Sequence, residues 1–126
     1  YKVFRYADAV LLMAESYCEL EDSENAVRYL NMVRNRAGVG DYTFRTFARL
    51  QDEIRKERAR ELFGEFQRKF DLVRWGIWYE SVLSCTDFAP LKQNIRPCHR
   101  FLPIHDTQVA YSGYNLDNNE YKQYGL

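Results

Sequence analysis

The sequence predicts an all-α protein: antiparallel helix pairs followed by a loop-rich C-terminal wrap. Apolar residues recur at steps of three and four through residues 1–75, the spacing of one helix face. Turn signals at Asp22-Ser23 and Gly38-Val39-Gly40 cut that pattern into segments of helix length. Beyond Trp75 the periodicity fades, and Pro, Asn, Asp, Ser and Tyr take over.

In the first segment Val3, Ala7, Val10, Ala14 and Tyr17 share a face, widened by Leu11 and Cys18. Asp22 and Ser23 can cap a second helix, whose Ala26, Leu30, Val33 and Ala37 form its apolar face. Gly38 then suits the left-handed residue that ends helices. So short a connection makes residues 1–40 an αα-hairpin. Met13, Ala14, Tyr17, Ala26 and Leu30 resemble the tetratricopeptide spacing, with Val10 where that pattern prefers Trp and Gly38 where it prefers Pro. Small Ala14 and Ala26 let the helices approach, and Tyr17 and Leu30 fill the crevice. Such a hairpin needs neighbours to cover its open face.

Residues 46–75 read as a long helical region. Phe47, Leu50 and Ile54 open its apolar stripe, and Leu62, Phe66, Phe70 and Val73 continue one further on. Between them Arg58, Glu61, Glu65 and Arg68 form a charged ladder, with Arg58–Glu61 and Glu65–Arg68 pairs expected on adjacent turns. Gly64 marks a bend. Residues 76–126 read as ordered loop with short helices or strands, and Arg100–Ile104 as a short extended segment.

Composition narrows the function. A length of 126 residues suits one domain or part of a larger one. With 18 Lys+Arg against 18 Asp+Glu the chain lacks the basic excess of a nucleic-acid binder. An apolar content of 46% excludes low-complexity disorder. The longest wholly apolar run, Ala9–Ala14, is far short of a bilayer span. No signal peptide or initiator Met precedes Tyr1, so a portion of a longer or processed protein is expected. Of the three cysteines, Cys18 reads as a small buried apolar residue. A bridge between Cys85 and Cys98 and three free thiols both remain open.

Several segments then resemble one family. Arg5-Tyr6-Ala7-Asp8 through Ala14-Glu15 is similar to its Arg-Tyr-Ala-Asp/Glu helix, and Leu30-Asn31-x-Val33-Arg34-x-Arg36-Ala37-Gly38 to its Leu-Asn-x-Val-Arg-x-Arg-Ala-Gly signature. Ile54-Arg55-Lys56-Glu57-Arg58-x-x-Glu61-Leu62, then Glu65, Arg68 and Phe70–Gly76, resemble its most distinctive block. Leu102-Pro103-Ile104 and Leu116-x-Asn118-Asn119-x-Tyr121 resemble its closing segments. On these residues the chain resembles the C-terminal portion of the SusD/RagB family of outer-membrane nutrient-binding lipoproteins. Phe66 stands where that family usually has Gly, Gln67 where His is common, His105 in place of a second Pro, and Glu120 near the closing Gly position.

The resemblance implies a surface-exposed, largely helical binding protein of Gram-negative bacteria. It further implies a glycan, or in some lineages a peptide, as ligand, passed to a TonB-dependent, SusC-like transporter barrel. A lipid anchor and much of the ligand-binding region would lie outside this chain, and no enzyme activity and no cofactor are expected. A tetratricopeptide-like scaffold binding peptides is the alternative, and a glycoside hydrolase the remaining rival.

Glu61 and Glu65 lie one turn apart on one helix, whereas glycosidase carboxylates face each other across about 5 to 9 Å. Flanked by arginines, they read as structural ion pairs rather than as an acid–base pair. Cys85, Cys98, His99 and His105 fit no metal-ligand spacing. For sugar contact the candidates are Trp78 and Tyr79, expected to be more open than Trp75 against the core, and Asp41-Tyr42 in the loop after the hairpin. Flat rings pack on sugar C–H faces, and polar neighbours take the hydroxyls.

Overall fold

The computed structural model describes residues 4–85 and 87–126, so Val3 of the expected stripe lies outside the described residues. All regular structure among them is helical. The chain divides into two compact units, residues 1–68 and 69–126.

In the first unit α1 (Tyr6–Glu19) and α2 (Ser23–Arg36) form the tetratricopeptide-like hairpin. Ala14 and Ala26 are wholly buried at the crossing, with Val10, Leu11, Leu30 and Val33 around them. Tyr17 is half-buried and stacks on Tyr29 at 5.6 Å and 5°. Met13 is exposed. The open face is covered from within the chain. Helix α3 (Phe47–Glu61) lays Leu50 and Ile54 into the same core, and Tyr42 and Phe47 pack at its edge.

The helix ends follow from local chemistry. Asp22 accepts from the Asn25 amide and side chain, which holds its carboxyl below the usual range and caps α2. Gly38, at φ +74, ends α2 with the Val39 amide on the Arg34 carbonyl and the Gly38 amide on Asn35, a Schellman closure. Helix α1 closes in the same way through Glu21, a non-glycine at φ 58.

The long helical region breaks at residues 62–67, because Gly64 (φ +77) and Phe66 (φ 62) take left-handed conformations that no helix continues through. The break corrects the expected stripe. Leu62 is buried, but Phe66 and Phe70 are mostly exposed, since the helical register does not survive the turn.

The second unit holds α4 (Arg68–Arg74, whose first residue belongs to the first unit), α5 (Trp78–Cys85), α6 (Ala89–Asn94), a 3-10 turn (Pro97–Arg100), α7 (Asp106–Tyr111) and α8 (Asn119–Lys122). Of the short helices or strands expected within the loop-rich region, the described residues form short helices. Each is too short to show periodicity, and Leu72, Trp78 and Ile95 form their small core. Arg100 sits in the 3-10 turn rather than in an extended segment, and residues 101–105 carry no strand. Instead the Asn118 carboxamide donates to the Ile104 carbonyl and accepts from its amide, both at 2.8 Å. The Tyr121 hydroxyl donates to the Phe101 carbonyl.

All three thiols are free, which is the second of the two states that the sequence leaves open for Cys85 and Cys98. Cys98 is buried at 2% exposure within the 3-10 turn, while Cys85 faces solvent at the end of α5. Burial pushes the Cys18 thiol up, as expected of an inert core cysteine.

Glu21 is exposed, and its side chain makes no hydrogen bond or ion pair within the described residues. Glu21→Gly removes the left-handed strain and raises the stability of the protein by about 1 kcal/mol, read as a higher urea midpoint at unchanged slope.

Candidate functional site

The charged residues of the resembling segments meet one another. Arg58, on α3, is 3% exposed, and its Nη2 lies 2.8 Å from Asp8 Oδ1 on α1. The oxygen is off line for a hydrogen bond, so the contact is held by charge. Arg5 donates to Glu61 Oε1 at 2.9 Å, to the Glu61 carbonyl at 2.7 Å and to Glu65 Oε2 at 2.9 Å. Those bonds, Glu65 first, raise its pKa still further above the arginine range. Arg36 from α2 closes on both oxygens of Glu61. Arg34 reaches Glu53 and the buried Glu57 at 3.0 Å each, and Arg60 joins the same two carboxylates. Arg68 donates to the Arg55 carbonyl at 3.2 Å.

Of the ladder, Arg58, Glu61 and Glu65 reach to α1, its N-cap Arg5 or α2, whereas Arg68 reaches the Arg55 carbonyl of α3. Spacing alone does not single out the ladder's partners Arg5, Asp8 and Arg36, although all three stand in the segments that carry the resemblance.

A second device holds the loop after the hairpin. The Asn31 carboxamide donates to the Tyr42 carbonyl at 3.1 Å and accepts from the Tyr42 amide at 2.7 Å, while Arg34 Nε donates to the Gly40 carbonyl at 3.0 Å. Tyr42 packs against the core, and burial pushes its hydroxyl pKa up. Its neighbour Asp41 is exposed.

The other sugar-contact candidates lie in the second unit. Gly76, at φ +71, ends α4, with the Ile77 amide on the Leu72 carbonyl, and so points α5 inward. Trp78 is 9% exposed with Lys69 Nζ over its ring at 5.6 Å, whereas Trp75 is half-buried under Arg74 at 4.9 Å. The order expected from sequence is thus reversed. Trp78 opens its helix and faces the core, and Trp75 sits in the turn. Val73, Trp78, Tyr79, Glu80, Pro97 and Arg100 nevertheless line a cavity of about 150 Å³.

A larger groove of about 450 Å³ runs along the α1–α2 hairpin beside Val10, Met32 and Val33. Its two arginines, Arg5 and Arg36, are already committed to Glu61. No group of three or more His, Cys, Asp or Glu among the described residues could hold a metal ion.

The comparisons with known proteins point one way. The model of the SusD family matches residues 1–125. The chain belongs to the SusD family.

A SusD-like protein, P25, from Formosa agariphila is 40% identical over 95% of the chain. The chain spans about a quarter (24%) of that relative's length. A crystal structure of a SusD superfamily protein from Bacteroides vulgatus superposes with a TM-score of 0.64 at 34% identity, covering 68% of this chain and 19% of that one. In this SusD-family chain the recognisable segments map onto the inter-helix ion pairs and the two carboxamide clamps.

Asn31→Ala removes both bonds to Tyr42. It lowers stability by about 1–3 kcal/mol and speeds amide exchange at Tyr42. Unchanged protection of that amide would contradict the clamp.

Proposed function

We propose that this chain is the C-terminal helical portion of a cell-surface receptor that binds a glycan and hands it to a TonB-dependent, SusC-like outer-membrane transporter. The observation that carries this reading is the family match over residues 1–125. The mechanism is binding and transfer without bond chemistry. Rings supply flat faces for sugar C–H groups, polar side chains take the hydroxyls, and the barrel supplies transport.

The acidic residues support a non-enzymatic role. Both Glu61 oxygens meet guanidinium groups, and Glu65 shares Arg5, so neither carboxylate stands ready to protonate a leaving group. No helix of the described residues is long and apolar enough to cross a membrane. In this reading attachment comes from a lipid anchor outside the chain, and the longer protein supplies most of the ligand pocket.

The full-length protein tests this. It should fractionate with outer membranes, co-purify with a barrel transporter and retain oligosaccharide in an affinity screen. Capture of extended peptides with no sugar retained would favour the interaction scaffold. Glycan turnover abolished by Glu61→Gln or Glu65→Gln would replace binding with hydrolysis.

A further inference from the structure

The α1–α2 hairpin has two long sides, and α3 takes one of them. That side carries Asp8 and Arg34, which reach Arg58 and the carboxylates Glu53 and Glu57 on α3. At about 100° per residue, the other side of α1 holds Tyr6, Met13 and Tyr17, with Leu20 just past the helix end. On α2 the adjoining side holds Tyr29, which stacks on Tyr17, and Met32, which lines the groove of about 450 Å³ with Tyr6, Val10 and Val33. Tyr6 is 76% exposed, Met13 41% and Met32 43%. Both methionines of the chain thus lie on this one side.

Its composition is that of a protein contact. Tyrosine, methionine and arginine concentrate at interfaces, whereas lysine and glutamate avoid them, and neither of the latter stands in this stripe. The arginines at its rim are already engaged, Arg5 and Arg36 on Glu61 and Arg28 over the Tyr29 ring at 5.8 Å. Stacked helical repeats cover one another on both sides, and only the terminal repeat of a stack turns a polar side to water. A hairpin that carries tyrosines and methionines there is therefore built as an internal repeat.

The groove also selects its occupant. Its walls are two helices whose backbones are bonded within themselves, so a strand finds no edge to join, whereas the apolar ridge of a helix fits between Val10 and Val33. The chain spans about a quarter (24%) of its Formosa relative, so a polypeptide of that length has further chain to supply the helix. Resting on the reading of this chain as one portion of a longer protein, and not on what that protein binds, we propose that a further helix pair of the same polypeptide stacks on this side. Its apolar side chains lie against Val10, Met13 and Met32.

The two methionines report on this contact. In the native full-length protein, hydrogen peroxide should oxidise Met13 and Met32 at least about tenfold more slowly than in the same protein unfolded in urea, read by peptide mass spectrometry. Rates within about twofold of the unfolded protein overturn the interface. A photoreactive benzophenone side chain in place of Tyr6 then identifies the occupant, at a position exposed enough to leave the hairpin's own packing intact. The expected cross-link runs to a segment of the same molecule outside residues 1–126. A cross-link between two molecules assigns this side to a second copy, and one within residues 1–126, or none, removes the proposed helix pair; each overturns the assignment. Both measurements read packing alone, so their failure leaves oligosaccharide retention by the full-length protein, and with it the receptor function, standing.

Discussion

A guanidinium that is 3% exposed has to be answered by charge, and in this protein the answer comes from another helix. Arg58 on α3 faces Asp8 on α1, and around that pair the two helices close on Ala14, Leu50 and Ile54. Taking either ion out of water costs several kcal/mol, and the facing opposite charge offsets that cost for both. This condition fixes α3 against the hairpin more tightly than apolar packing alone, which would accept a slide of one turn. The less buried pairs, Arg5 with Glu61 and Glu65, and Arg34 with Glu53 and Glu57, tighten the same three helices from the rim.

The second recurring device is a carboxamide that imitates a strand partner. Asn31 in the first unit and Asn118 in the second each pair with both the N–H and the C=O of one distant residue, Tyr42 and Ile104. Buried or half-buried loop backbone needs its polar groups satisfied, and a helical protein has no sheet to do it. One asparagine per loop replaces a ladder. Both loops are thereby held in place without strands.

The hairpin was legible because its signals are local. Ala14 and Ala26 at the crossing, Asp22 at the cap and Gly38 at the closure each act within a few residues of their own position. The third helix was legible for the same reason, through Leu50 and Ile54. Ion-pair partners were not, because Arg58 offers equally good geometry to Glu61 by spacing and to Asp8 only by tertiary placement. The fate of Phe66 and Phe70 hung on two left-handed residues, of which only Gly64 announces itself by type. In residues 76–126 the helices run four to eight residues, too few for a 3.6-residue period to emerge. Trp78 and Tyr79 were found as aromatics after a glycine, but which ring is buried depends on Lys69 and Ile95, packed from elsewhere in the unit.

If the recognisable charges are framework, Asp8 and Arg58 must act as one unit. A double-mutant cycle with Asp8→Asn and Arg58→Met, followed by urea unfolding, measures this directly. Each single change should cost about 3–5 kcal/mol, and the double change should cost less than the sum by at least about 2 kcal/mol. Additive losses, or single changes costing under about 1 kcal/mol, would contradict the account.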